Sequence, residues 1–121
     1  MQQEFFDRVS YEIKDRVALI TLNRPDKMNA FDAAMYQGVN QALDTFHLSE
    51  DAWVAVIQAE GDRAFSVGAD VNALNDLASQ GITSGLGGLN IDLQMVTDKP
   101  IIAAVQGYCV GEGVNLVLAC D

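Results

Sequence analysis

The sequence has little that would build a disulfide framework or a transition-metal site, because its 121 residues include only two cysteines and one histidine. Small disulfide scaffolds need several cysteine pairs, and zinc sites draw on larger sets of Cys and His ligands. Basic residues are also scarce: seven Lys and Arg stand against seventeen Asp and Glu, for a formal net charge of -10. Nucleic acids and anionic membrane surfaces are recognised through clustered positive charge. The composition therefore argues against these partners.

Long apolar runs are absent as well. No stretch approaches the roughly 18 consecutive apolar residues of a membrane-spanning helix, and the first residues, MQQEFFD, lack the basic and apolar regions of a secretory signal. Half of the residues are nonetheless hydrophobic and 20% are charged, which is typical of a folded domain. We expect a cytoplasmic protein with two reduced, partly buried thiols, Cys109 and Cys120.

Strand and helix patterns alternate along the chain. Residues 9–13 and 17–22 predict an antiparallel hairpin, and the nearly continuous apolar runs at 53–59 and 101–105 predict strands buried on both faces. Helices are predicted over residues 33–46, 71–78, 90–97 and 112–120. The order β-β-α-β-α-α-β-α is typical of an α/β fold in which helices cover a sheet.

Several predictions concern single residues and loops. Asp32 is the expected N-cap of the first helix, and Trp53 is assigned to core packing in a buried strand. Residues 79–89 hold four of the ten glycines and are expected to form a mobile loop. One face of the first helix is predicted to carry Tyr36, Val39, Leu43 and Phe46.

Two glycine-containing loops, 66–70 and 107–113, each follow a predicted strand and precede a predicted helix. Glycines let a backbone approach a ligand closely, and helix starts offer unpaired N–H groups. Two helix N-termini that point toward the same space could bind an oxyanion between two backbone N–H groups. One such donor stabilises a transition state by about 3 kcal/mol. Ordinary strand-to-helix turns remain the simpler interpretation of spacing alone. A dinucleotide fingerprint at 111–116 is rejected because Leu116 occupies the third glycine position.

Three segments resemble motifs of the crotonase superfamily, the enoyl-CoA hydratases and isomerases. The segment 20–31 (ITLNRPDKMNAF) resembles its first motif and 64–71 (AFSVGADV) its second. The segment 99–108 (KPIIAAVQGY), with Gly111, Gly113 and the ACD at 119–121, resembles its third. The resemblance covers nearly the whole chain and about the front half of a family member. We therefore expect residues 1–121 to be the N-terminal core of a longer, crotonase-like spiral of ββα units.

The resemblance implies action on acyl-CoA thioesters in fatty acid metabolism, with a thioester enolate bound in an oxyanion hole. The two backbone N–H donors would be those of Ala69 and Glu112. It also implies coenzyme A as part of the substrate, no tightly bound cofactor, and a homotrimer or hexamer. Residues implied to line the CoA path are Lys27, Met28, Ala30, Ala64, Gly68, Asp70 and Val71. Tyr108 and Gly111 would border the acyl end.

Two residues depart from the family pattern. Glu112 stands where many hydratases have glycine, although its backbone N–H is retained. Asn115 stands where typical hydratases carry a catalytic glutamate, and an amide cannot exchange a proton near neutral pH. It could still orient water or a substrate carbonyl, and it is kept as a candidate catalytic residue on that ground. The resemblance thus favours isomerisation or another enolate reaction over hydration. A non-catalytic acyl-CoA-binding homologue, or a truncated fragment that serves in assembly, is the alternative.

The remaining candidates have ordinary structural interpretations. His47 is interpreted as a solvated or capping residue near a helix end, and Asp70 as the N-cap of the helix that follows it. Cys109 lacks a neighbouring histidine to activate it and is assigned to packing. Tyr108 is interpreted either as a ligand donor or as a packed turn aromatic.

Overall fold

The computed structural model describes residues 2–91 and 95–121. Within them, the strands are β1 (Gln2–Phe5), β2 (Val9–Lys14), β3 (Val17–Leu22), β4 (Val54–Ala59), β5 (Ala64–Ser66), β6 (Ile101–Ala103) and β7 (Tyr108–Cys109). The helices are α1 (Ala33–Leu48), α2 (Val71–Ser79) and α3 (Glu112–Ala119), with a short 3-10 helix at Pro25–Lys27.

The larger sheet has the strand order β1-β2-β3-β4-β6. The predicted hairpin is confirmed, because β2 and β3 pair antiparallel with Val9 opposite Leu22 and Lys14 opposite Val17. The strands β3, β4 and β6 run parallel. The edge strand β1 was not predicted, because its sequence QQEF has three polar residues in succession and is mostly exposed.

A second sheet consists of β5 and β7, which pair in parallel. The sequence predicted loops over 66–70 and 107–113, so the prediction was wrong at Ser66, which ends β5, and at Tyr108–Cys109, which form β7. The strands contain three and two residues. Strands this short leave no periodic pattern to detect, and their pairing joins segments more than forty residues apart.

Helix α1 follows its predicted bounds closely. The carboxylate of Asp32 caps it by accepting a hydrogen bond from the Met35 N–H, at 2.9 Å. The predicted face is confirmed, since Tyr36, Val39, Leu43 and Phe46 are all buried. This face packs on the sheet, in one core cluster that includes Val9, Ala18, Ile20, Leu22, Ala55, Ile57 and Ile101.

Three further predictions need correction. The strand begins at Val54, and Trp53 is 65% exposed beneath the guanidinium of Arg16 instead of packing in the core. Only one face of β4 is fully buried, because Val54 and Val56 remain partly exposed. The strand predicted over 101–105 ends at Ala103.

The helix predicted over 90–97 lies partly outside the described residues, which exclude 92–94; the described residues 90–91 and 95–97 are not helical. Helices α2 and α3 match their predicted bounds to within one residue. In the part of the chain that the structure describes, no helix is long and apolar enough to cross a membrane.

Candidate functional site

Three connecting segments meet where parallel strands end. Residues 23–31 follow β3, residues 60–70 follow β4, and residues 104–111 follow β6. Because these strands are parallel neighbours, their carboxyl ends lie at one edge of the sheet. In open α/β sheets ligands bind beyond this edge.

The first two segments are joined by a parallel bridge between Phe31 and Ala69. The Phe31 N–H donates to the carbonyl of Gly68 and the Asp70 N–H donates to the carbonyl of Phe31, both at 2.8 Å. In this pairing, the peptide groups on either side of Ala69 supply the bonds to Phe31. The N–H and carbonyl of Ala69 itself therefore face away from Phe31.

The second and third segments are in close contact through two glycines. A Cβ added to Gly68 would lie 2.9 Å from the carbonyl oxygen of Val110 and 3.2 Å from the Glu112 nitrogen, and its φ is +92°. A Cβ added to Gly113 would lie 2.7 Å from the Ser66 carbonyl oxygen. That oxygen also accepts the N–H of Val110, at 3.0 Å. Glycine at these two positions lets the loops meet backbone to backbone.

Two backbone donors remain available beside this contact. Among residues 2–91 and 95–121, no hydrogen-bond acceptor is found for the N–H of Ala69 or of Glu112. Glu112 is the first residue of α3, after Gly111 with φ +57°. Its N–H therefore belongs to the unpaired, partly positive end of a helix, which attracts negative charge. The close approach of Gly68 to residues 110–112 places the segment that carries Ala69 beside the start of α3.

The side chain of Glu112 is engaged along the helix. Its Oε1 accepts a hydrogen bond from Nδ2 of Asn115, at 3.1 Å. Asn115 is exposed and Glu112 is partly exposed. Tyr108 is 62% exposed, so the interpretation of a packed turn aromatic is wrong. Tyr108 lies in β7, and its N–H donates to the carbonyl of Arg63, the residue before β5.

Asp70 caps α2, as predicted from the sequence: its Oδ1 accepts the Ala73 N–H at 3.0 Å, and its Oδ2 accepts from Arg24 at 2.8 Å. Burial by itself would raise the pKa of Asp70. The Ala73 N–H and the Arg24 guanidinium outweigh that effect and hold the pKa below its ordinary value. Asp70 is therefore a carboxylate at neutral pH.

The other predicted contact residues lie around the same segments. Lys27 ends the 3-10 helix and is exposed, and Val71 begins α2 with 64% exposure. Met28 is partly buried in a left-handed conformation, φ +52°. Ala30 and Ala64 are buried. A cavity of about 110 Å³ adjoins Met28 and Ala64, and its other lining residues are Pro25, Asn29, Glu60, Gly61, Asp62 and Arg63.

Sequence reasoning missed three polar residues that hold the loops together. Asn29 is 1% exposed, and its Nδ2 donates to the carbonyls of Glu60 and Ala64. Ser66 donates to the Asn29 carbonyl and accepts the Gly68 N–H. Arg24 pairs with Asp70. All three lie within the first two motif segments, but their partners are distant in sequence and no local pattern reveals them.

The nucleophile candidates behave as predicted. Burial raises the pKa of the Cys109 thiol, and burial together with Asp121 raises the pKa of Cys120 to about 11. Both thiols are free and partly buried, so neither is an activated nucleophile. His47 lies in the exposed last turn of α1.

Comparison with known proteins identifies the family to which the chain belongs. The family described as enoyl-CoA hydratase/isomerase matches residues 12–121. Mevalonyl-coenzyme A hydratase of Aspergillus fumigatus is 39% identical over 110 residues, and the mitochondrial enoyl-CoA hydratase of Pongo abelii is 38% identical over 105 residues. The solved enoyl-CoA hydratase of Mycobacterium tuberculosis matches with a TM-score of 0.76 and 33% identity, over 95% of this chain.

An α/β domain with paired glycine loops at its strand ends is thus part of a crotonase fold. The chain belongs to the enoyl-CoA hydratase/isomerase family. The alignments cover 87% of this chain for both curated relatives, but 39% and 36% of their own lengths, and 44% of the solved chain. The chain therefore spans less than half the length of these relatives.

Proposed function

We propose that the protein acts on acyl-CoA thioesters and stabilises a thioester enolate between the N–H groups of Ala69 and Glu112. The observation that supports this proposal is the pair of unengaged donors beside the contact between Gly68 and Val110. Both donors belong to backbone held by its own hydrogen bonds. They need no reorganisation when charge develops, which is the condition under which such donors are most effective.

The chemistry follows from where the negative charge goes. When a base takes the proton next to a thioester carbonyl, the electron pair of the broken C–H bond is delocalised onto the carbonyl oxygen. Two N–H donors aimed at that oxygen favour the enolate over the neutral ground state, at about 3 kcal/mol for one donor. Because Glu112 begins α3, the helix dipole adds to its donor strength.

In this proposal the CoA portion lies along the first two segments. Lys27 and Val71 offer exposed side chains, while the buried Ala30 and Ala64 would shape the path through their neighbours. Met28, Gly68 and Asp70 complete the CoA path, and Tyr108 and Gly111 border the acyl end. Coenzyme A enters as part of the substrate, without a tightly bound cofactor. A cytoplasmic homotrimer or hexamer is part of the same proposal and rests on family resemblance.

The reaction type that we favour is isomerisation or another enolate reaction. Asn115 donates to the Glu112 carboxylate, and its amide cannot give or take a proton near neutral pH. Water addition assisted by this position is therefore disfavoured. The second candidate is a non-catalytic acyl-CoA-binding role. It is motivated by the negative charge of Glu112, whose carboxylate would oppose an enolate if it turned toward the donor.

The test removes one donor and leaves its helix in place. Proline is tolerated at the first position of a helix, where its missing N–H has no intrahelical partner. Glu112→Pro should therefore retain α3 and lower the rate of proton exchange at the α-carbon of a short acyl-CoA. The expected loss is about 10²–10³-fold, as for other oxyanion donors. Exchange is followed by NMR in D₂O, and acyl-CoA affinity by calorimetric titration.

Glu112→Ala is the matched control. It removes the same carboxylate but keeps the N–H, so the exchange rate should stay close to that of the unmodified protein. Equal losses in both variants would contradict a donor role for this N–H. Acyl-CoA binding without any exchange would identify the non-catalytic role, and no affinity for any acyl-CoA would overturn the proposed substrate class.

A further inference from the structure

The Arg24 side chain contacts both sides of the backbone bridge that orients Ala69. We propose that Arg24 is a positioning residue that holds the Ala69 N–H in place for the enolate. This inference rests on the function proposed above and assigns a task to a side chain that would not touch the substrate.

The guanidinium of Arg24 lies at the end of β3, and its side chain is only 14% exposed. Its Nη1 donates to Oδ2 of Asp70 at 2.8 Å and to the carbonyl of Ala30 at 3.1 Å. Its Nη2 lies 3.6 Å from a carboxylate oxygen of Asp32. The planar guanidinium can make these contacts at once because its donors are fixed relative to one another.

Each of these contacts is made to a residue that is adjacent in sequence to one of the two bridge residues, Phe31 and Ala69. Ala30 directly precedes Phe31, and Asp70 directly follows Ala69, so a single nitrogen of Arg24 is bonded to both sides of the Phe31–Ala69 bridge. The bridge sets the direction of the Ala69 N–H. Loss of Arg24 would leave the Asp70 carboxylate without its charged partner and allow this segment to shift.

A small shift would matter more for the reaction than for binding. The Asp70 carboxylate is held by two contacts, one with the start of α2 through Oδ1 and one with Arg24 through Oδ2. Removal of Arg24 leaves only the contact with α2. Misplacement by about 1 Å can cost about 100-fold in rate. CoA affinity, which draws on contacts spread over several residues, should change much less.

Arg8 provides a matched control within the same set of charges. Its Nη2 donates to Oδ2 of Asp32 at 2.9 Å, and its Nε donates to the same carboxylate. Among its described hydrogen bonds, none reaches the segment 68–70. Arg8→Met therefore removes a partly buried ion pair of the α1 N-cap but no hydrogen bond of Asp70, of Ala30 or of the Phe31–Ala69 bridge.

The experiment compares Arg24→Met, Arg24→Lys and Arg8→Met in the purified protein. Melting temperature, acyl-CoA Kd and the α-proton exchange rate are measured for each. Arg24→Met should lose about 30–100-fold in exchange rate with Kd changed less than about 3-fold. Arg24→Lys should recover part of the rate. Arg8→Met should lower the melting temperature and leave the rate within about 3-fold.

Equal rate losses in Arg24→Met and Arg8→Met, or a loss confined to Kd, would overturn the positioning role. Asp70→Asn keeps a capping oxygen while it removes the ion pair, and it tests the same role should Arg24→Met fail to fold. A faster amide hydrogen exchange at Phe31, whose N–H donates to the Gly68 carbonyl across the bridge, in Asp70→Asn or Arg24→Lys supports the role even in a non-catalytic binder. Unchanged protection of this amide overturns the role. The proposed enolate chemistry itself fails separately, when the unmodified protein shows no α-proton exchange.

Discussion

Single glycines determine whether the two site loops can meet. Gly113 is buried, and a Cβ there would stand 2.7 Å from the Ser66 carbonyl oxygen and 3.1 Å from its Cβ. Alanine favours helix by about 1 kcal/mol over glycine, but the clash is with backbone that cannot rotate away. The steric cost should therefore exceed the gain in helix propensity.

We expect Gly113→Ala to destabilise the protein by about 1–3 kcal/mol, the usual range for overpacking. Urea unfolding followed by circular dichroism measures the free energy of unfolding. Gly88→Ala is the control, because Gly88 is exposed and no atom lies within 4 Å of an added Cβ. It should change the free energy by less than about 0.5 kcal/mol. A neutral Gly113→Ala would mean that the loops are not packed this closely.

The candidate site could be predicted from the sequence only in part. The glycine loops are visible because glycine before a helix start signals a close backbone approach, and the motif resemblance selected Ala69 and Glu112. Arg24 was missed because its partner Asp70 is 46 residues away. Trp53 was misplaced because a large aromatic residue beside an apolar run is expected in the core, whereas its ring packs under Arg16 at the strand start.

At the scale of elements, the caps of α1 and α2 link helix stability to pH. Burial by itself would raise the pKa of Asp32, but hydrogen bonds from Arg8 and from the Met35 N–H, with the charge of Arg24, hold it below the ordinary value of 3.8. The pKa of Asp70 is lowered as well. A carboxyl whose folded-state pKa lies below its unfolded value stabilises the fold above the unfolded value. That stabilisation is lost as the pH falls through the folded value.

The melting temperature should therefore fall steeply below about pH 4. Asp32→Asn keeps a capping oxygen but removes the titrating group, so it should lower the melting temperature at pH 6 and weaken its dependence on pH in acid. Asp32→Ala should lower the free energy of unfolding by about 1–2 kcal/mol over a wider pH range, since the cap itself is lost. Calorimetry between about pH 3 and pH 7 measures both effects. An unchanged pH dependence in Asp32→Asn would contradict a lowered pKa at this site.

The elements differ in how far local sequence specifies them. Helix α1 was predictable because its cap and its apolar spacing agree with each other over four turns. The central strands β3 and β4 were predictable because they are long, apolar runs. The strands β1, β5 and β7 were not predictable from local sequence. Each contains only two to four residues, which are polar or pair with distant segments and so leave no periodic signal. Tertiary contacts define these short strands.

At the scale of the whole molecule, the core and the site occupy different parts of the sheet. The buried face of α1 packs against β1, β2 and β3. It belongs to the main core, which also includes Ala55 and Ile57 of β4. The site lies at the carboxyl ends of the parallel strands. Beside it, α3 and β6 present an apolar surface with large exposed side chains at Ile102 (54%) and Leu118 (77%). A groove there is lined by Ile102, Ala103, Val117, Leu118, Cys120 and Asp121.

Contiguous apolar surface of this kind promotes association and dye binding. We therefore expect the 121-residue polypeptide, purified by itself, to bind the dye ANS and to self-associate with rising concentration. Leu118→Gln should reduce both, with little change in melting temperature, because the side chain has few contacts to lose. ANS fluorescence and sedimentation velocity are the measurements.

Leu48→Gln separates the effect of this groove from the effect of one exposed leucine. Leu48 is 78% exposed, as much as Leu118, but it ends α1 and is not among the groove residues. If self-association depends on the α3–β6 surface, Leu48→Gln should leave it unchanged while Leu118→Gln weakens it. Equal effects of the two substitutions would instead assign the association to general surface hydrophobicity, since the two side chains differ in place but not in exposure.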